Sequence, residues 1–286
     1  MDVTEIIWRP DPEAAARTRM GRFMKQHGLA TLADLQRRSI AEPEWYWDAV
    51  SRDLGFHWFT PYRLVLDESK GIPWPRWFEG GRLNLADNCV DRHVAAGRGA
   101  KAAVIAEAED GTVRTVSYTE LAAEINRLAN ALKRLGIRPG DTVGIFLPMC
   151  AEAVIATLAV ARIGAVYTPC FSGYGAPAVA SRLDGCGARL LITADAFARR
   201  GQVIPLKRTA DEAVSASPTV EHVIVYRRGD GDVPWPAELK RLLGGVETKE
   251  VLASIETHCP QDGRNATARS LAGLRRIAAE IGVEVV

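Results

Sequence analysis

The chain has 286 residues, and its 36 Lys and Arg nearly cancel its 35 Asp and Glu. That length can bury a large core in one big domain or two modest ones, and so even a charge balance offers no strong field to nucleic acid or an anionic membrane. Five cysteines (Cys89, Cys150, Cys170, Cys186 and Cys259) show no CxxC spacing, and the start MDVTEIIWRPDPEAAARTRM has acidic residues where a secretory leader is basic, so a reduced cytoplasmic setting is expected.

Residues 1–95 hold six of the seven tryptophans. Helices are expected over Pro12–Gly28 and Leu32–Ser39. After Glu42-Pro43, aromatics separated by Pro and Gly read as an irregular layer ordered by packing its rings on a neighbouring domain. Leu85–Ala96 reads as a helix leading into the main domain.

Lys101–Ala108 and Thr112–Val116 read as a hairpin around the turn signal Glu109-Asp110-Gly111. A helix then opens at Ser117 with a capping box to Glu120, carries Leu121, Ile125, Leu128, Leu132 and Leu135 on one face, and stops at Gly136. The uncharged strand Val143–Leu147, a nearly all-apolar helix Ala151–Ile163 ended by Gly164, and the strand Ala165–Cys170 complete a βαβ unit. Such sheets place small ligands beyond their strand ends, and here that turn is Phe171-Ser172-Gly173-Tyr174-Gly175. Val143–Ala161 is also a run of 19 residues with Glu152 as its one charge. Pro148 and Glu152 near its middle favour strand plus buried helix over a membrane span.

A helix Pro177–Cys186, a strand Arg189–Thr193, a helix Leu206–Ser217 and a strand His222–Tyr226 continue the alternation. The fold class expected is therefore α/β, a doubly wound and mostly parallel sheet, with the irregular aromatic layer before it and a helical tail after it. Three parts are expected: 1–95, 96–232, and 233–286 beyond a Gly/Asp-rich linker. The tail carries seven basic and seven acidic residues, a balance that gives its helices no phosphate footprint. Adjacent side chains such as His258-Cys259 do not face each other on a helix or strand, and no third group is evident. His57 and His93 read as packing residues. Asp195 follows a strand, where it could meet a ligand or cap the next helix.

Several stretches, in order, resemble one family: WYWDAV, RWFEGGRLNLADNCVDRH, SYTEL, GDTVGIFLPM, ARIGAVYTPCFSGYG and LLITADAFARRGQVIPLK. This chain is similar, over about residues 40–230, to the AMP-forming acetyl-CoA synthetases and related acyl-CoA synthetases of the adenylate-forming superfamily. Members join a carboxylate to ATP as an acyl-adenylate and then transfer the acyl group to coenzyme A. The resemblance makes 1–95 an acetyl-CoA-synthetase-type N-terminal segment and 96–232 part of the AMP-binding domain. It implies coenzyme A contacts at Phe171, Ser172 and Gly173 and at Arg199, whose charged planar fork suits a phosphate. A second family arginine falls on Gln202, and Arg200 is the residue able to compensate; both arginines could equally lie on a solvated face.

ATP and magnesium are implied for the family, but the Ser/Thr/Gly-rich loop ending near a lysine has no counterpart in this sequence; GRNATARSLAG is nearest in composition and reads as a helix start. The family's later elements, including its C-terminal catalytic lysine domain, have no counterpart either, so no catalytic or metal-ligating residue is expected. The reading is a truncated acyl-CoA ligase, inactive alone, with coenzyme A bound weakly. The alternative is a non-catalytic coenzyme A-binding or protein-interaction module. Self-association through an exposed sheet edge is expected, without nucleic acid or membrane partners.

Overall fold

The computed structural model describes residues 10–228 and the strand 253–257. Two compact units divide at Leu83/Asn84.

The first unit begins with α1 (Pro12–Arg17) and α2 (Arg19–Gln26). The single helix expected over Pro12–Gly28 is broken at Thr18. This β-branched residue sits in extended backbone, donates its amide to Ala15 to end α1, and caps α2 by accepting from the Gly21 amide at 3.0 Å. α3 (Leu32–Ala41) opens with a capping box between Thr31 and Asp34.

The layer after Glu42 is more regular than expected. α4 (Pro43–Leu54) starts with proline at its first position and ends at Gly55 in the left-handed conformation. Trp45, Tyr46, Ala49 and Val50 form its inner face, packing with Phe23 and Leu35. The half-exposed Trp47, set beside two inward aromatics, conceals that repeat in the sequence. β1 (Leu64–Asp67) and β2 (Arg76–Glu79) pair antiparallel, and Trp58, Tyr62 and Phe78 stack around them at 5.0–5.4 Å. Within this unit Trp58, Tyr62 and Phe78 thus pack on one another.

In the second unit, the expected helix over Leu85–Ala96 is present; it winds as a π-type stretch at Asp87–Asp91 and leaves helical backbone at Ala96 and at Gly97, whose φ is +74°. Arg162 forks onto Asp91 at 2.7 and 2.9 Å. The hairpin is β3 (Ala102–Glu107) and β4 (Val113–Ser117), and α5 (Tyr118–Arg134) follows with the Ser117/Glu120 capping box in place. Leu121, Ile125, Ala129 and Leu132 bury its apolar face.

The sheet contains β5 (Thr142–Phe146), β6 (Val166–Pro169), β7 (Leu190–Ala194) and β10 (His222–Tyr226), all parallel, in the order β10-β7-β5-β6. The step from β5 to β6 through α6 (Ala151–Arg162) runs one way. The steps to β7 through α7 (Ala176–Gly185) and to β10 through α8 (Leu206–Ser215) run the other. Right-handed crossovers therefore put α6 on one face and α7 with α8 on the other, which is double winding. β5 is buried on both faces, and Gly144 admits this packing: a Cβ there would lie 2.4 Å from Leu183 of α7.

Two features depart from the expected pattern. A hairpin of β8 (Phe197–Arg199) and β9 (Gln202–Ile204) interrupts the loop after β7; strands of three residues leave no readable periodicity. The tail expected to be helical contains a strand, β11 (Ala253–Thr257), which pairs antiparallel with β10 at the sheet edge. The pair completes an edge with main-chain bonds, an outcome the tail's helical pattern concealed. The expected helices elsewhere in 233–286 lie outside the described residues, as do His258 and Cys259. Among the described residues no helix is long and apolar enough to cross a membrane.

Candidate functional site

Connections leave β5 and β7 in opposite directions, so the crevice beyond their carboxyl ends is the switch point where open α/β sheets receive ligands. Asp195 follows β7 at this end of the sheet. Asp195 is 1% exposed, and its carboxylate accepts the amides of Ala196 at 2.7 Å and Arg228 at 2.9 Å. Its own amide donates to Tyr226 and its carbonyl accepts from Lys207. Asp195 thus binds main chain around the end of β10, and its candidacy as a ligand-binding carboxylate has no geometric basis.

Beside it, Glu152 in the first turn of α6 pairs with Arg114 of β4 and accepts from the Tyr226 hydroxyl. Burial pushes the Glu152 carboxyl up, but hydrogen bonds from its own amide and Tyr226, with the Arg114 charge, outweigh it and hold it below the usual carboxylate range. Burial and the Glu152 charge push the Tyr226 hydroxyl up, and burial first, then Glu152, pushes the Cys150 thiol up to about 11. A thiol so placed stays protonated and unreactive at neutral pH.

The sequence-derived site residues lie in two turns that follow β6 and β7. Phe171, Ser172 and Gly173 form the β6–α7 turn, closed by the Tyr174 amide donating to Phe171 at 2.9 Å. Arg199 and Gln202 are directly opposed in the β8–β9 hairpin, and Arg200 lies at its tip. The two turns meet at Arg199, whose guanidinium carbon is 5.6 Å from the centre of the Phe171 ring, within cation–π reach. Gly173 makes the approach workable: a Cβ on it would lie 2.5 Å from Phe171 Cε1 and 2.9 Å from Arg199 Nη1. Phe171 is 56% exposed although it is a large apolar ring. An open aromatic face, a half-buried guanidinium and a bare stretch of backbone thus sit together, suited to a planar ring with an attached phosphate.

Arg200 and Gln202 are not drawn in as closely. Arg200 is exposed, with φ of +52°, and its amide donates to Glu109 at 2.9 Å. Gln202 is exposed but shares a hairpin face with Arg199. Ser172 is half-buried between Phe171 and Gly173.

Three neighbours were not singled out in the sequence. Tyr174 stands edge-on to Phe171 at 5.6 Å, and Arg182 lies over the Tyr174 ring at 4.3 Å while donating to its hydroxyl at 3.2 Å. Tyr174 lies within the quoted turn, but Arg182 follows eight residues later on α7. Glu109 belongs to a turn recognised only as a turn. Glu152 did leave a signal, as the one charge in 19 apolar residues. Among the described residues no three His, Cys, Asp or Glu converge on one point, so the magnesium implied by the resemblance is assigned no ligands.

Comparison with known proteins agrees with this layout. Residues 91–259 match the family model described as AMP-binding enzyme, and residues 32–89 match that of the acetyl-coenzyme A synthetase N-terminus. The chain is 46% identical over 212 residues to an acetyl-coenzyme A synthetase of Thiobacillus denitrificans, covering 73% of this chain and 32% of the relative. It is 48% identical over 213 residues to one of Burkholderia lata, covering 74% and 32%. The solved acetoacetyl-CoA synthetase from Streptomyces lividans superposes with a TM-score of 0.71 at 28% identity, over 86% of this chain and 39% of that one. The chain spans about a third of the length of the curated relatives it matches. With its family match extending over more than half of the sequence, the chain belongs to the AMP-binding enzymes and corresponds to the N-terminal part of their acetyl-coenzyme A synthetases.

Proposed function

We propose that this chain carries the coenzyme A-facing part of an AMP-forming acyl-CoA ligase, and that Phe171, Gly173 and Arg199 make its contact with the adenine and phosphate end of coenzyme A. The observation that carries the reading is the meeting of Arg199 with Phe171 across the uncluttered Gly173. An exposed aromatic can stack a base, and a neighbouring guanidinium can fork onto phosphate. Binding is weak, because the family arginine opposite Arg199 is Gln202 here. Arg200, the residue able to compensate, sits at the exposed tip of the hairpin beside the face that Arg199 and Gln202 share.

The 286 residues by themselves form no acyl-adenylate, since the sequence has no Ser/Thr/Gly-rich loop ending near a lysine to surround a triphosphate. A reducing cytoplasmic setting fits the free cysteines Cys89, Cys150, Cys170 and Cys186. Calorimetric titration with coenzyme A is the test. Heat that saturates for the wild-type chain, with an affinity about tenfold weaker but still measurable for Arg199→Ala, is expected; equal, negligible heats for both would refute the binding role. Acetate-dependent exchange of pyrophosphate into ATP by the purified chain would refute the inactivity.

A further inference from the structure

The two-residue turn of the β8–β9 hairpin requires left-handed backbone at both positions, and it has φ of +52° at Arg200 and +72° at Gly201. Glycine adopts that conformation freely, whereas arginine resists it through its Cβ. Strands of three residues also make a marginal hairpin. Something further is needed to hold it, and one carboxylate supplies it. Glu109, 91 positions earlier at the tip of the β3–β4 hairpin, accepts the Arg200 amide at 2.9 Å on one oxygen and the Gly201 amide at 3.3 Å on the other. Glu109 itself is kept in place by a closed turn: the Ala108 amide donates to Thr112 at 2.9 Å, the Gly111 amide to Ala108 at 3.0 Å, and the Thr112 amide to the Asp110 carboxylate at 2.9 Å.

We infer that Glu109 is a positioning residue for the coenzyme A contact: it clamps the Arg200–Gly201 turn and so fixes where the adjoining Arg199 presents its guanidinium. This rests on the reading given under Proposed function. Phe197, packed against the core, anchors the base of β8, and the Glu109 clamp anchors its tip. Arg199 lies between these two fixed points, one residue from the clamped amide. Without the clamp the turn is held by its own three-residue pairing, and Arg199 must be ordered when ligand arrives, at a cost to affinity. Bonds from two main-chain amides to a carboxylate are charge-assisted and so well suited to the task.

The test uses the full chain with Glu109→Ala, Glu109→Gln, Arg199→Ala and the Glu109→Ala/Arg199→Ala double variant, reading coenzyme A affinity by calorimetry and amide exchange by NMR. Glu109→Ala is expected to speed exchange at Arg200 and Gly201 by about tenfold while leaving the β5 and β7 amides unchanged. It should weaken coenzyme A by roughly fivefold to tenfold and have no further effect once Arg199 is removed, a coupling that a merely structural contact would not produce. Glu109→Gln, with one neutral acceptor, should fall between. Faster exchange with unchanged affinity would overturn the inference, because the clamp would then not serve the site. Tighter binding would also overturn it, by showing that the carboxylate competes with ligand phosphate for the two amides. Absence of binding by the wild-type chain would instead sink the parent reading and the positioning role with it, a result distinct from both.

Discussion

Gln202 and Arg199 face each other across a hairpin with only three paired positions. Two like charges so opposed repel unless an anion lies between them. The family resemblance places a second arginine at 202, and glutamine in its place relieves the empty hairpin of that repulsion at the expense of a phosphate contact. Gln202→Arg is therefore expected to tighten coenzyme A by about fivefold to twentyfold, the value of one exposed charge-assisted contact, and to steepen the loss of affinity with added salt. Calorimetry at two ionic strengths checks both; an affinity that rises with no change in salt dependence would exclude a charge effect. At this scale the site was legible only where residues stand in recognisable strings, as Phe171, Gly173 and Arg199 do. Glu109 was not, because a contact spanning 91 positions is created by two hairpins meeting and leaves no local pattern.

Among the elements, those with a strong period or cap were legible from sequence. The capping box of α5 and the uncharged run of β5 are examples, since each is set by local hydrogen bonding or by burial on both faces. α4 was hidden because Trp47 breaks the apparent polar side of its helix, and β8 and β9 because three residues cannot show a repeat. Two buried polar groups, one in β7 and one in the first turn of α6, have opposite consequences. Thr193 of β7 is fully buried and its hydroxyl has no partner among the described residues, whereas Glu152 has Arg114 and Tyr226. Thr193→Val keeps the shape and removes an unpaid desolvation, so it should stabilise the chain by about 1 kcal/mol in urea denaturation. Glu152→Ala should destabilise it by about 2 kcal/mol, less than breaking a fully buried pair costs, since the Arg114 side chain is 46% exposed and can rehydrate. The depressed Glu152 carboxyl contributes stability above the usual carboxylate range, and this is lost as pH falls through its lowered value. The deficit of the alanine variant should therefore narrow on acidification; a deficit independent of pH would show that packing, not the ion pair, is what was removed.

On the scale of the whole molecule, the doubly wound order of β5 to β10 follows from the alternation of strands and helices and from crossover handedness, both readable in advance. How the sheet ends was not readable. Among the described residues β11 closes it antiparallel on one side, and on the other β6 is an edge strand with Val166 53% and Tyr167 39% exposed. That edge is a poor template for strand addition. The Val166 amide turns inward to Asp141 and Pro169 has none to give, so with the alternation of the ladder Tyr167 alone offers an outward N–H. Self-association at this edge is therefore expected to run through the apolar side chains rather than through a continued sheet. Sedimentation equilibrium should show a mass that rises with concentration. Val166→Lys, which places a charge on the edge without touching the inward ladder, should return it toward the monomer, whereas proline at Tyr167, which removes the one outward amide, should change it less. A reversed ranking would mean that main-chain pairing drives the contact after all, and a constant monomer mass for the wild type would remove the edge as an association surface.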